Sequence, residues 1–419
     1  LIFSNWDSSL TATNVTILTN GQMTIPAAFS NNAMSNRVWI ICSNLSIAAG
    51  ASINADSKGY RGALNSLGET TGHGPGGSAS SGGASYGGRG AGGANAGPIY
   101  GDASAPTEPG SGGGRESGSV NGGAGGGAIR IQASGAVTNN GTITANGGTA
   151  GGTYAGCGSG GGIYITCSTL SGTNGIIRAS GGSQGNRGGA GGGRIAVIYD
   201  TNAQVSIPSL LFQTAGGAGN LSYGGYGGVG SLYFPNNLFL NPTNFIHAGQ
   251  WTVPGFTSWA PGTLLVSNGW LRFPADGFQL TVTNDLSIVG TNSYEHRIEL
   301  TNGAVTCGGN MFLTNAGLVL YAGVTSGPTL NCSGNLTLTN GAAIYVYNGP
   351  TNDGATNWSV LIAVTGAVFI QNNTDVYLYS DPTNGGSALM RMRNLTLGAG
   401  GTISADNAGF VGRSVQCAD

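Results

Sequence analysis

Short apolar segments recur behind glycine runs at nearly constant distances, and this recurrence restricts the chain more than any single motif. They read Ala128-Ile129-Arg130-Ile131, Gly162-Ile163-Tyr164-Ile165 and Arg194-Ile195-Ala196-Val197. Each alternates apolar and other residues, the period of a strand whose successive side chains point to opposite faces. A second strand follows at a fixed distance: Ile143 stands 12 residues after Ile131, and Ile177 stands 12 after Ile165. Ile41 and Ile53 form an earlier pair of the same spacing. A unit of two strands and a turn, repeating about every 32–35 residues, cannot bury its apolar face alone. Stacked on its own copies it makes a continuous core. The expected fold class is therefore all-β, a parallel β-solenoid whose strands pair with the repeats above and below at ~4.8 Å.

Glycine is concentrated where these repeats lie. Residues 59–230 hold 55 of the 81 glycines, residues 1–58 hold 2, and residues 231–419 hold 24. Three segments follow: N-terminal coils over 1–58, a glycine-rich solenoid with long loops over 59–230, and a Thr/Asn-rich solenoid over 231–419. Taken alone, the tract 68–126 reads as a flexible linker. Shorter glycine blocks at 149–161, 181–193 and 216–230 recur at the same place in each following repeat, which points instead to loops stacked on one face. Without side chains such loops approach closely, and the expectation is a layer of polyglycine-II helices joined by interchain hydrogen bonds.

The last segment repeats more tightly. Cys307-Gly308-Gly309-Asn310-Met311-Phe312-Leu313-Thr314-Asn315 matches Cys332-Ser333-Gly334-Asn335-Leu336-Thr337-Leu338-Thr339-Asn340 at an offset of 25, and Leu286-Ser287-Ile288 lies a further 25 back. Such a repeat length suits a right-handed β-helix with short turns. Cys307 and Cys332 should stack in adjacent repeats, as a disulfide or as two inward-facing thiols. A longer echo bears on function. Residues 44–62 recur without a gap as 394–412, with nine of the nineteen positions identical. The pairs Leu45/Leu395, Ile53/Ile403 and Asp56/Asp406 are among the nine, and Ile47 is matched by Leu397. An open strand edge recruits further strands, so these eight residues are the candidate assembly residues.

Charge excludes several functions. Only 7% of residues are charged, the net charge is −2, and Lys58 is the one lysine, which leaves no basic patch for nucleic acid. No apolar run approaches the ~18 residues of a membrane span. The glycines lack a Gly-X-Y period, so collagen is out. Six cysteines are too sparse for a disulfide scaffold and lack zinc spacing. The composition reads as exported and extracellular, with a signal peptide removed or first residues missing. Asn-x-Ser/Thr sequences at Asn14, Asn44, Asn140, Asn220, Asn331, Asn335, Asn357, Asn372 and Asn394 are candidate glycosylation sites, or a consequence of abundant Asn and Thr.

No catalytic, cofactor or metal set is legible. Asn373-Thr374-Asp375 and Gly72-His73-Gly74 occur as tripeptides of the polygalacturonase type, but in reverse order and without the other motifs. Glu295, Arg297 and Glu299 would share one face of a strand as a solvated salt-bridge ladder. His247, beside Phe245 and Ile246, reads as structural. Gly-x-Gly-x-x-Gly matches carry no weight at this glycine content. Thr-x-Thr segments, as at Thr142 and Thr337, are too scattered for an ice-binding face.

The order of glycine tract, Gly-Gly-Gly-Ala-Ile-Arg-Ile or Gly-Gly-Gly-Arg-Ile-Ala-Val-Ile-Tyr, then Gly-Thr-Ile-Thr-Ala-Asn-Gly-Gly resembles the glycine-rich β-helix regions of large secreted bacterial surface proteins. The resemblance covers residues 40–230 and the 394–412 echo. It implies an extracellular cell-surface or fibre role. The echo of 44–62 at 394–412 makes the chain its own partner in a head-to-tail homopolymer, or marks a tandem repeat inside one longer polypeptide. In composition the glycine layer is also similar to the polyglycine sandwich of phage adhesin tips. The alternative is therefore an adhesin offering glycine loops and Tyr60, Tyr86, Tyr100, Tyr154, Tyr223 and Tyr226 to glycans. A polysaccharide-active enzyme is the third reading.

Overall fold

The computed structural model describes residues 1–30, 34–92, 95–118, 120–184, 186–220, 225–323, 327–350, 359–381, 385–406 and 408–409. Among them the chain is all-β, with long sheets of parallel strands and a single 3-10 turn at Asn65–Leu67. It falls into two units: Leu1–Phe239 with His247–Pro254, and Leu240–Ile246 with Gly255–Asp419.

In the first unit each strand pairs with its counterpart one repeat away. Leu10–Ile17 lies on Val38–Ile47, which lies on Ala128–Ala133 and Ala136–Asn139. Gly162–Cys167, Arg194–Tyr199 and Ser231–Tyr233 continue that ladder. A second ladder runs through Gln22–Thr24, Ser52–Asn54, Thr142–Thr144, Thr173–Arg178 and Ser209–Gln213. In-register pairing turns the two-residue period into columns of like residues. Met23, Ile53, Ile143, Ile177 and Phe212 form one inward column, and none is more than 8% exposed. One spacing needs correction. Ile40, not Ile41, aligns with Ile131 and is buried, whereas Ile41 faces outward opposite Gln132. The early repeat takes a longer corner before Ser52, so its two inward isoleucines lie one residue further apart.

The glycine segments of this unit bond to one another through main-chain groups. Gly123 N–H donates to Gly156 O at 2.9 Å, Gly156 N–H to Gly114 O at 2.9 Å, and Gly113 N–H to Gly123 O at 2.8 Å. A second chain of bonds runs from Gly158 (to Gly148 O) through Gly182 (to Gly158 O), Ala190 (to Gly182 O) and Gly217 (to Ala190 O) to Gly227 (to Gly217 O). The long tract joins the network, since Ala84 N–H donates to Cys157 O and accepts through its own carbonyl from Gly191. A Cβ at Gly156 would overlap the carbonyl oxygen of Gly82, so only hydrogen fits there.

The second unit carries the 25-residue period. Leu264–Ser267, Leu286–Val289, Met311–Thr314 and Leu336–Thr339 stack in register, with Leu286, Met311 and Leu336 in one buried column. Asn268, Asn315 and Asn340 close three of these four strands in the left-handed conformation, φ 52°, 49° and 56°, which asparagine tolerates better than other side chains. A sister ladder runs Trp270–Arg272, Arg297–Thr301, Gly317–Tyr321, Ala343–Tyr347, Asp375–Tyr379 and Thr402–Ser404. Cys307 and Cys332 are in register, buried and free. Their thiols point at corner carbonyls, with Cys307 Sγ 3.1 Å from Asn284 O and Cys332 Sγ 3.5 Å from Gly309 O.

Candidate functional site

The repeated sequence occupies two environments. Within the first unit, Leu45, Ile47 and Ile53 have neighbours on both sides and are at most 1% exposed. Their counterparts lie on the strands Ala388–Leu397 and Thr402–Ser404, which among the described strands pair on one side only, with Val360–Ile370 and Asp375–Tyr379. There Leu395, Leu397 and Ile403 are 44%, 51% and 36% exposed. Asp56 Oδ1 accepts from Asn146 N–H of the next repeat at 2.6 Å. Asp406, at the matching place, is exposed and turns its N–H back to Ser404 Oγ.

Side-chain ladders lead up to this edge. Asp285 Oδ1 accepts from Asn310 N–H, Asn310 Oδ1 from Asn335 N–H, and Asn335 Oδ1 from Ala367 N–H, at 2.7, 3.0 and 2.9 Å. Asn394 stands next in register after Ala367 and is exposed. In the early repeat the same position is filled on both sides: Asn44 Nδ2 donates to Asn14 Oδ1, and Asn44 Oδ1 accepts from Ala136 N–H, each at 3.0 Å. Tyrosine rings stack alongside. Tyr321, Tyr347 and Tyr379 are spaced 4.9 and 4.8 Å apart with planes within 13°, and Tyr345 and Tyr377 are 5.2 Å apart. The stack is absent from the letter-by-letter repeat because Tyr345 and Tyr377 are 32 residues apart, not 25.

At the other end of the chain Leu10–Ile17 pairs only with Val38–Ile47 among the described strands. Gln22–Thr24 is covered by residues 1–3. Ile2 bridges to Thr24, Phe3 N–H donates to Thr24 O, and Thr24 N–H donates to Leu1 O.

The charged cluster differs from its sequence reading. Glu299 is only 2% exposed, and Glu295 lies before the Arg297–Thr301 strand, not on it. Trp270 Nε1 donates to Glu299 Oε1 at 2.9 Å, Arg297 Nε stands 2.5 Å from the same oxygen, and Arg272 Nη1 stands 3.6 Å from Oε2. Arg297 also lies over the Trp270 ring, 4.0 Å from its centre. The corner before this strand folds over the outward face: Ser293 Oγ meets Tyr345 Oη at 3.3 Å, and His296 O accepts from Gly317 N–H. A solvated ladder has become a buried carboxylate held between cations.

The remaining candidates sort by burial. His247 is buried among Phe212 and Trp251, and its Nδ1 accepts from Phe212 N–H at 3.2 Å. His73 and Asp375 lie in different units, so the two tripeptides do not share one. His73 Nε2 instead meets Glu69 Oε1 at 3.2 Å and Arg61 Nη2 at 2.9 Å. Tyr60 and Tyr86 are 7% and 0% exposed, against the expectation of presented loop tips. Tyr100 Oη donates to Pro109 O, Tyr226 is half-buried, and Tyr154 is 45% exposed. Of the sequons, Asn14, Asn44 and Asn335 are engaged in ladders, and Asn140 Oδ1 accepts from Thr173 N–H. Asn220 and Asn331 are half-buried, whereas Asn372 and Asn394 are exposed. Asn357, Tyr223 and Cys417 lie outside the described residues.

Among the described residues no helix is long and apolar enough to cross a membrane, and no three His, Cys, Asp or Glu side chains gather to hold a metal ion. No protein-family model, curated protein or solved structure matches the chain.

Proposed function

We propose that this chain is a structural, extracellular protein whose units are right-handed β-solenoids and which stacks head to tail into a surface fibre. One observation carries the reading. A sequence whose Leu45, Ile47 and Ile53 are buried between two repeats at 44–56 is placed again at 394–406, where the matching apolar residues are exposed. Such an edge recruits a further strand. A contact between unlike ends does not close on itself and propagates as a filament. The glycine segments, in this reading, form polyglycine-II rods stacked on one face and stiffen the fibre. No catalytic step belongs to the function.

The test compares Leu397→Asp with the unmodified chain by electron microscopy and sedimentation. Filaments from the unmodified chain, and folded monomers from the variant, are the expected result. Monomers from the unmodified chain at all concentrations would remove the proposal.

One observation favours glycan adhesion as a second reading. Tyr154 is exposed beside the Arg187 guanidinium, 5.0 Å from the ring centre, an aromatic and cationic pair at a loop tip. Glycan-array binding that Tyr154→Ala abolishes would establish it.

A further inference from the structure

We infer that the open edge of Ala388–Leu397 receives Leu10–Ile17 of a second copy of this chain, with Asn14 over Asn394, Val15 over Leu395, Thr16 over Thr396 and Ile17 over Leu397. The inference rests on the fibre reading and adds to it the occupant and the register.

The register follows from pairing inside the chain. Leu10–Ile17 already lies parallel to Val38–Ile47, with Asn14 opposite Asn44, Val15 opposite Leu45 and Ile17 opposite Ile47. Ala388–Leu397 ends in the repeat of that strand, with Asn394, Leu395 and Leu397 at the positions of Asn44, Leu45 and Ile47. In a parallel ladder, alternate residues bond to opposite sides, so each end strand of a stack keeps one free edge. The free edge of Leu10–Ile17 is the one turned away from Val38–Ile47. That of Ala388–Leu397 is the one turned away from Val360–Ile370. These two edges are complementary and bring the strands together parallel.

Side chains fix the same alignment. Asn44 donates its amide hydrogen to Asn14 Oδ1, and Asn14 can repeat that donation to Asn394 Oδ1, which continues the ladder across the junction. A one-residue slip would turn Leu395 and Leu397 out of line with Val15 and Ile17 and set apolar against polar positions. Leu10–Ile17 carries no charge, so Arg391 and Arg393 meet threonine and not a like charge. The adjoining strand Thr402–Ser404 meets a competitor, because residues 1–3 already occupy the outer edge of Gln22–Thr24. Leu1 and Ile2 are 61% and 64% exposed there, whereas Phe3 is buried, so the first two residues of the cover are displaced at little apolar cost and Phe3 stays anchored.

The experiment mixes variants that each carry one added cysteine in a Cys417→Ser background, where the five remaining native cysteines are buried. Thr16→Cys is mixed with Thr396→Cys, both positions being exposed, and treated with a short bismaleimide under assembly conditions. Thr11→Cys with Thr396→Cys is the out-of-register control, five residues or ~16 Å away along the strand. The expected result is a covalent dimer from the first mixture and at least tenfold less from the second. Filaments that form without this preference overturn the inferred register and leave the fibre reading intact. Absence of filaments and of dimers in every mixture overturns both.

Discussion

His247 is held as a neutral imidazole: burial lowers its pKa to about 4, and its Nδ1 lone pair is committed to Phe212 N–H. Between that value and the ordinary ~6.5, the unfolded chain binds a proton that the folded chain excludes. Stability is therefore full above the upper value and falls as pH drops through the window, by up to ~3 kcal/mol. Urea midpoints measured from pH 7 to 4 should show this loss, and His247→Asn, which keeps an acceptor without the titration, should flatten that limb. Glu299 presents the opposite case, a charge kept inside by its partners. Glu299→Ala leaves Trp270 Nε1 and two guanidinium groups facing an uncompensated hole, a loss of about 3–5 kcal/mol. Glu299→Gln keeps an acceptor for the indole and should cost about 1–2 kcal/mol. Equal destabilisation by the two variants would mean that the cations do not depend on the carboxylate. The stacked thiols need no such balance. The hydrogen bond between the two sulfurs, reinforced by burial, pushes the Cys332 thiol up, and the same bond, against burial, holds Cys307 below the usual thiol range.

At the scale of strands and loops, the glycine segments make a sharp prediction where backbone packs directly on backbone, as at Gly156. Gly156→Ala puts a methyl group into the Gly82 backbone and should lower the unfolding free energy by about 1–3 kcal/mol. Gly262 has open space around its Cβ position, and Gly262→Ala should stay within about 0.5 kcal/mol. A calorimetric pair of scans separates the two. Strand positions were legible in the sequence wherever local pattern and register coincide. The spacing from Ile131 to Ile143 and from Ile165 to Ile177, and the 25-residue step from Cys307 to Cys332, all appear as columns of the fold. Burial on the outward face was not legible. A two-residue period places Glu299 outside, where Trp270 and Arg272 of the preceding strand and Arg297 close on its carboxylate. Tyr86 was misread as a loop tip for a similar reason. Its cover comes from Arg194, 5.4 Å from the ring centre, and from Tyr100, 4.6 Å away, neither adjacent in sequence. Leu395 and Leu397 were legible as the counterparts of Leu45 and Ile47, but their exposure was not, because a repeated sequence does not say whether a further layer covers it.

Across the whole molecule, each repeat contacts chiefly the repeats on either side of it, so stability should accumulate as a sum of nearest-neighbour terms. Deleting residues 311–335 removes one period and brings Leu336 onto Leu286, a pairing both residues already make with Met311. That chain should fold with an unchanged circular dichroism band shape. Deleting Phe312 alone, inside a strand, exchanges the inner and outer faces of its neighbours and should destabilise the second unit more than removal of the whole period does. Removing residues 1 and 2, which leaves the buried Phe3 in place, should speed assembly by opening the outer edge of Gln22–Thr24, which light scattering would register as a shorter lag. The in-register columns bear also on inheritance. Copies of a gene segment that encode interchangeable layers can misalign during recombination, and each unequal exchange adds or removes a whole layer without disturbing those that remain. For a chain built this way, length is the trait most open to variation, and related lineages are expected to differ more in how many layers they carry than in what any one layer contains.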